Sequence, residues 1–193
     1  NLINGLARGT EIVSYRDRLK GAAKYSPVPN VDVMLDYSNE RRSGSKPLGS
    51  VMFYHIPTEL VEPTNYRTQE TSARIEYASK TANIQIGYWF SRFNNNVDVL
   101  IWDNPFRESD AFGAPARARM DLYPDNSAHR ISLLGGMTLP FSTRFASNIS
   151  YNLRRQNDPF IPATINTAVD TMRGAPAVPA GSLDGKVQNL LLS

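Results

Sequence analysis

The chain has 193 residues, a net charge of +3 and a pI near 9.2, with both signs of charge spread along it. That length suffices for one domain with a real core, and the lack of any run of about five or six like charges argues against a nucleic-acid-binding arm. Cysteine is absent, which excludes disulfides, thiolate zinc sites, iron–sulfur ligation and covalent haem attachment by this chain, without placing it in a compartment.

No apolar run approaches the ~18 residues of a membrane helix, and no window shows sustained helical spacing with caps. What recurs along the chain is alternation of period two, the mark of a strand with one apolar face. In "EIVSYRDRLKGAAKYS" (11–26), Val13, Tyr15, Leu19, Ala23 and Tyr25 oppose Arg16, Arg18, Lys20 and Lys24. "VDVMLDYSNER" (31–41) sets Val31, Val33, Leu35 and Tyr37 against Asp32, Asp36 and Ser38. "TQETSARIEYAS" (68–79) sets Ala73, Ile75 and Tyr77 against Glu70, Arg74 and Glu76. "TANIQIGYWFSRF" (81–93) carries Ile84, Ile86, Tyr88 and Phe90 opposite Asn83, Gln85, Gly87 and Ser91. "AHRISLLGGMTL" (128–139) collects Ile131, Leu133, Met137 and Leu139 on one parity. "TRFASNISYNLRR" (143–155) places Phe145, Ile149, Tyr151 and Leu153 against Arg144, Asn148, Asn152 and Arg154.

The connections alternate in length. Short turns fall near 26–30, 79–82 and 140–142; long loops rich in Pro, Gly, Asn and Asp fall near 42–67, 93–127 and 156–183. In an up-and-down meander every short turn then lies at one end and every long loop at the other, the asymmetry of an outer-membrane barrel. Tyr25, Tyr77 and Phe145 sit near the short turns, while Tyr37, Tyr88, Phe90 and Tyr151 sit toward the far ends of the same face. Two aromatic belts flanking aliphatic residues match interfacial girdles.

The expected fold is therefore all-β: part of an antiparallel up-and-down transmembrane barrel, about six to eight strands within a single domain over 1–193. Ile84, Ile86, Tyr88, Phe90, Ile131, Leu133, Phe145, Ile149 and Tyr151 are expected to face lipid. Arg74, Glu76, Gln85, Arg130, Arg144 and Arg154 are expected to face the lumen and a partner within it. A soluble β-sandwich binding module uses the same alternation and stays open as a rival. So does a general porin or transporter for solutes.

Several segments resemble the MtrB/PioB family of outer-membrane barrels associated with decahaem cytochromes. The resemblance is carried by "YSPVPNVDVMLDYSNERRSGSKP" (25–47), "ELVEPTNYRTQETSARIEYAS" (59–79), "GYWFSRFNNNVDVLIWDNPF" (87–106), "MDLYPDNSAHRISLLGGMTLPFSTRFASNISY" (120–151) and "DPFIPATIN" (158–166). Together they cover most of residues 11–167 in the family's order. The resemblance implies a barrel of more than about twenty strands that sheathes a periplasmic multihaem c-type cytochrome, often with an extracellular multihaem cytochrome docked outside. On that reading the chain lies in the bacterial outer membrane, holds no cofactor of its own, is not an enzyme, and has haem only on its partner. The strands counted here are too few for the family's whole barrel, so the expectation is a fragment. No signal peptide is visible at the start, so either one has been removed or the chain is a segment of something longer, and the family's N-terminal region, which can carry a C-x-x-C pair, has no counterpart here.

Other chemistry is weaker. No G-x-S-x-G or comparable nucleophile context occurs. His55 and His129 are lone histidines; a distal haem ligand is a remote role for either, and His129 reads as an interface or lumen residue. "NNNVDV" (94–99) and "YPDN" (123–126) offer oxygens for calcium but lack EF-hand spacing and read first as solvated turns. "WDNPF" (102–106) reads as loop packing near the outer interface, and "GAPAVPAG" (174–181) as an extended loop segment.

Overall fold

The alternating segments become a single antiparallel meander. The computed structural model describes residues 9, 11–52, 56–141, 143–162, 164–169 and 182–193. Its strands are β1 (Ser14–Val28), β2 (Val31–Met52), β3 (Ile56–Ala78), β4 (Ala82–Asn95), β5 (Val99–Asp103), β6 (Arg117–Asp121), β7 (Asn126–Thr138), β8 (Arg144–Gln156) and β9 (Gly185–Leu192). Seven of them form one sheet in the order β1-β2-β3-β4-β7-β8-β9, while β5 and β6 pair separately. Every pairing is antiparallel, as short turns between chain neighbours require.

Turn chemistry fixes the short end. Val28 pairs with Val31 around Pro29 and Asn30. Proline pre-sets the first corner, and Asn30 takes the second with φ +68°, a conformation asparagine tolerates. At the β3–β4 turn the Ser79 hydroxyl accepts the Ala82 amide at 3.1 Å, and the Ser79 amide donates to the Ala82 carbonyl at 2.7 Å. The β7–β8 turn closes through the Leu139 amide on the Thr143 carbonyl, 2.8 Å, and leaves Phe141 fully exposed at its tip.

The other end departs from the sequence expectation at two of its three long connections. Residues 42–67 are not an irregular loop: β2 and β3 stay in register from Val31–Tyr77 out to Met52–Ile56. The dyad pattern loses its apolar face there, so alternation alone could not reveal that pairing continues. His55 lies outside the described residues. The 93–127 connection contains its own ribbon, β5–β6, and β4 runs into it as far as Asn95. A further strand, β9, pairs with β8 from Ile149–Leu192 to Gln156–Gly185. Its mixed text "GKVQNLLL" has no clean period. Residues 170–181, which include all of "GAPAVPAG", lie outside the described residues.

Register converts alternation into continuous rows. Val33, Ile75, Ile86, Leu133, Ile149 and Leu192 lie side by side across β2-β3-β4-β7-β8-β9. The next row reads Leu35, Ala73, Tyr88, Ile131, Tyr151 and Leu190, and the one beyond it Tyr37, Thr71, Phe90, His129, Leu153 and Gln188. Among the described residues no second layer covers this face: Ile86 is 53% exposed, Ile131 56% and Phe145 56%. Among the described residues only Leu100 and Leu122 are buried hydrophobics, and both belong to the β5–β6 excursion. A sandwich would bury the apolar rows against a facing sheet, leaving only polar positions in water. This sheet leaves them bare.

Candidate functional site

The site is the sheet itself, with one apolar face, one polar face and a cap of loops. From the Ala82–Met137–Phe145 row to the Phe90–His129–Leu153 row, each of β4, β7 and β8 spends nine residues. That meets the ~9–11 residues of a tilted transmembrane strand. The nine side chains expected to meet lipid (Ile84, Ile86, Tyr88, Phe90, Ile131, Leu133, Phe145, Ile149, Tyr151) share this face by register. His129 is placed among them, not on the opposite side. Its Nδ1 lies 2.8 Å from the Tyr88 hydroxyl, and its ring sits 4.9 Å from that of Phe90. It belongs to the aromatic row, where an amphipathic ring suits a boundary.

Across the apolar band, the opposite face holds the charges. Register brings Arg74, Glu76, Gln85, Arg130, Arg144 and Arg154 onto it together, without their all touching one another. Glu76 pairs directly with Gln85 across β3 and β4. Arg130 donates to the Asn152 side chain at 2.7 Å and lies 5.4 Å over the Trp89 ring. Arg74 reaches Asp36 at 3.4 Å. Sequence reasoning missed the densest cluster on this face. The Glu40 carboxylate accepts from Arg16 and Arg42, each at 2.7 Å, and from Arg18. The alternation of 11–26 had put Arg16 and Arg18 on one side, but only pairing with β2 brings Glu40 between them. With Lys24 on Asp32 at 2.8 Å, the face carries both signs in short, mostly solvated pairs.

Beyond the apolar band, at the long-loop end, lies a second missed cluster. Glu62 is 1% exposed. Its Oε1 takes the Lys46 ammonium at 3.0 Å and the Tyr66 hydroxyl at 2.7 Å. Tyr123, from the connection after β6, closes the cluster. Its ring lies 4.6 Å from the Lys46 ammonium and edge-on to Tyr66 at 6.0 Å. Burial, helped by the Glu62 carboxylate, pushes the Tyr66 hydroxyl up to about 12. Burial works against the Lys46 charge, but hydrogen bonds to Glu62, Tyr123 and Tyr66 prevail and hold its pKa above the ordinary lysine value. Lys46, Glu62 and Tyr66 share the parity of the polar face, so this anchor draws the β5–β6 excursion over that face.

The excursion is tied in turn to the connection after β8. Asp110 accepts the Ala116 amide at 2.8 Å, the Thr167 amide at 3.0 Å and the Thr167 hydroxyl at 2.8 Å. Those donors, Ala116 first, hold its carboxyl below the usual range. Asn166, buried, donates to the Ala111 carbonyl at 2.9 Å, and Arg119 donates to the Pro162 carbonyl. In "YPDN", Asp125 accepts from the Asn94 side chain and from the Asn95 amide at 2.7 Å, so its oxygens serve the loop. In "WDNPF", Asn104 donates to the Pro115 carbonyl at 2.9 Å and accepts the Phe106 amide at 3.0 Å, closing the tip of the ribbon. The whole arrangement can separate lipid from a charged interior and narrow that interior at one end.

Residues 2–193 match the family model for outer-membrane β-barrel porins of the MtrB/PioB type. A stretch of 101 residues, 52% of this chain, is 31% identical to the protein named outer membrane protein MtrB of Shewanella baltica (strain OS185). It spans 14% of that protein's length.

Proposed function

Because this chain belongs to the MtrB/PioB family of outer-membrane β-barrel porins, we propose that it forms a sector of a larger barrel that sheathes a multihaem c-type cytochrome and lets electrons cross the outer membrane. The observation that carries the reading is the division of one sheet into a bare apolar face and a face of mixed charge. A charged, haem-bearing protein is expensive in hydrocarbon. A closed barrel satisfies every backbone group and removes that cost for its contents. The polar face offers both signs, with Glu40 among three arginines and Arg130 beside Trp89, as a complementary surface for a folded protein rather than a single-sign filter for an ion. The sheath does no chemistry. The haems belong to the partner, and an extracellular multihaem cytochrome docks on the loop cap.

The test is to purify the full-length protein from native outer membrane in detergent, record its visible spectrum and stain the gel for covalent haem. A red complex with haem on a separate band is the expected result. A colourless barrel that conducts ions in a bilayer would replace the sheath with a solute porin, a role for which a loop drawn over the polar face serves as the constriction.

A further inference from the structure

Past the outer aromatic row, the apolar face turns abruptly cationic. Register sets Arg92, Ser127, Arg155 and Lys186 side by side on β4-β7-β8-β9, one row beyond Phe90 and His129. On β2 and β3, Arg41 and Arg67 face each other one row further out. That step is what strand tilt produces when a belt runs level with a membrane. All five cations are exposed.

Their partners set them apart from the charges on the other face. Every ion pair among the described residues joins side chains of polar-face parity: Arg16, Arg18 and Arg42 with Glu40, Lys24 with Asp32, Lys46 with Glu62, Arg74 with Asp36. None reaches Arg41, Arg67, Arg92, Arg155 or Lys186; Arg67 donates to the Asn39 side chain at 3.0 Å. Three acids lie near this region: Asp17, opposite Arg41 in register; Asp125, occupied by Asn94 and Asn95; and Asp158, which shares a hollow with Arg92 and Arg155 and whose carboxylate accepts the Asp125 amide at 2.8 Å. Moreover, Arg41 opposes Arg67 directly, and Arg155 opposes Lys186 directly. Like charges in such pairs destabilise a sheet unless an anion lies between them. At the short-turn end the same face carries no such belt: its border residues are Tyr25, Tyr77, Met137 and Phe145.

We propose that this belt binds the phosphate groups of outer-leaflet lipid, with Arg41/Arg67 and Arg155/Lys186 as two clamps and Arg92 between them. The guanidinium fork matches phosphate oxygens two at a time. The long stems let each charge reach headgroup level from a strand whose next row is in hydrocarbon. The proposal rests on the reading that the Ile86 face meets lipid, and it adds a ligand class to the long-loop end of that face.

The experiment uses the full-length protein in nanodiscs of phosphatidylcholine containing either bisphosphorylated lipid A or its dephosphorylated form. Lipid A retained per barrel after gel filtration is measured by mass spectrometry. The variants are Arg41→Gln/Arg67→Gln, Arg155→Gln/Lys186→Gln and all four together, each first shown to fold by heat-modifiable gel mobility. The expected result is preferential retention of the phosphorylated lipid, falling on the order of tenfold in the fourfold variant and partially in each double variant, unaffected by millimolar inorganic phosphate. Equal retention by wild type and fourfold variant overturns the proposal. Stripping by inorganic phosphate overturns it in favour of a small-anion site. Ile86→Cys, labelled with a fluorophore and challenged with brominated lipid, tests the underlying reading separately. Quenching with unchanged lipid A retention leaves the barrel standing and removes the clamp; no quenching removes the barrel orientation itself.

Discussion

Glu62 is a nearly inaccessible carboxylate in a protein whose other ion pairs are largely wet, and its surroundings decide how it responds to mutation. Lys46 keeps 37% of its side chain exposed, so the two halves of the pair are unequal. Lys46→Met leaves a buried charge with only the Tyr66 hydroxyl and should cost about 2–4 kcal/mol in the outer hairpin. Glu62→Gln leaves a partly hydrated ammonium and should cost about 1 kcal/mol. Hydrogen exchange across residues 96–125 should show the larger rise in Lys46→Met, with much of it recovered in the double variant. The phenol gives a spectroscopic handle. Tyr66 is raised from 10 to about 12, and it donates to Glu62 only while protonated. A raised acid contributes fully below its unfolded value, so this support should persist up to about pH 10 and vanish as pH rises through about 12. Absorbance at 295 nm should show a late-titrating tyrosine in wild type that is missing in Tyr66→Phe.

At the scale of the strand, parity decides everything. Ile86 and Gln85 are neighbours in β4, yet register puts them on opposite faces of the sheet, the first proposed to meet lipid and the second the lumen. Arg in place of Ile86 should weaken folding into vesicles by about 2–4 kcal/mol, the cost of a cation near the bilayer midplane, whereas Gln85→Arg should change it by less than about 1 kcal/mol. Similar losses at both positions would mean that the apolar face is not in lipid. The strands also differ in what terminates them. β2 and β3 outrun the apolar band by many residues, and β1 follows β2 only as far as Gly44. There Gly44 adopts φ +128°, and a Cβ would fall 1.9 Å from the Val13 carbonyl oxygen. That carbonyl takes the Ser45 amide at 2.8 Å. Gly44→Ala should therefore unzip the outer end of β1 at a cost of about 1–3 kcal/mol, seen as faster amide exchange at Ser14 and Ser45 with the inner rows unaffected.

Across the whole molecule, the main sheet is open: β1 and β9 are its two edges. Within hydrocarbon an unpaired edge carries a row of unsatisfied amides and carbonyls, each costing several kcal/mol or about that. A membrane sheet of this kind has to be completed by further strands, in keeping with the 14% of its relative's length that the matched stretch covers. In the full-length protein, alternate amides of β1 and β9 should exchange as slowly as those of β4. In the isolated 193-residue chain the same edge amides should exchange freely. Fast exchange at both edges in the full-length protein would mean that the sheet closes differently. The loop cap obeys its own chemistry. Asp110 is held below the ordinary carboxyl value, so its tie to Thr167 is present above about pH 4 and is lost as pH falls through the depressed value, a direction that pH-dependent proteolysis of the excursion can read.

The sequence by itself determined the two faces, the three short turns and the order of strands from 11 to 93 and from 128 to 155. Period-two alternation, Pro-Asn and Ser punctuation, and band length are local properties, written in consecutive residues. It also carried enough of the family's text for the resemblance to be seen. What only the tertiary structure decided was everything that needs a neighbouring strand. The polar outer halves of β2 and β3 pair because the hairpin keeps zipping once its register is set, with no apolar face to announce it. β9 is a strand because β8 offers an edge. Glu40 acquires Arg16 and Arg18, Lys46 and Tyr66 gain Tyr123, and Arg155 is set against Lys186, because residues tens of positions apart become adjacent across a 4.8 Å or so ladder. No window of sequence holds both members of such a pair, and each pair's charge, cover or conflict exists only after the register is fixed.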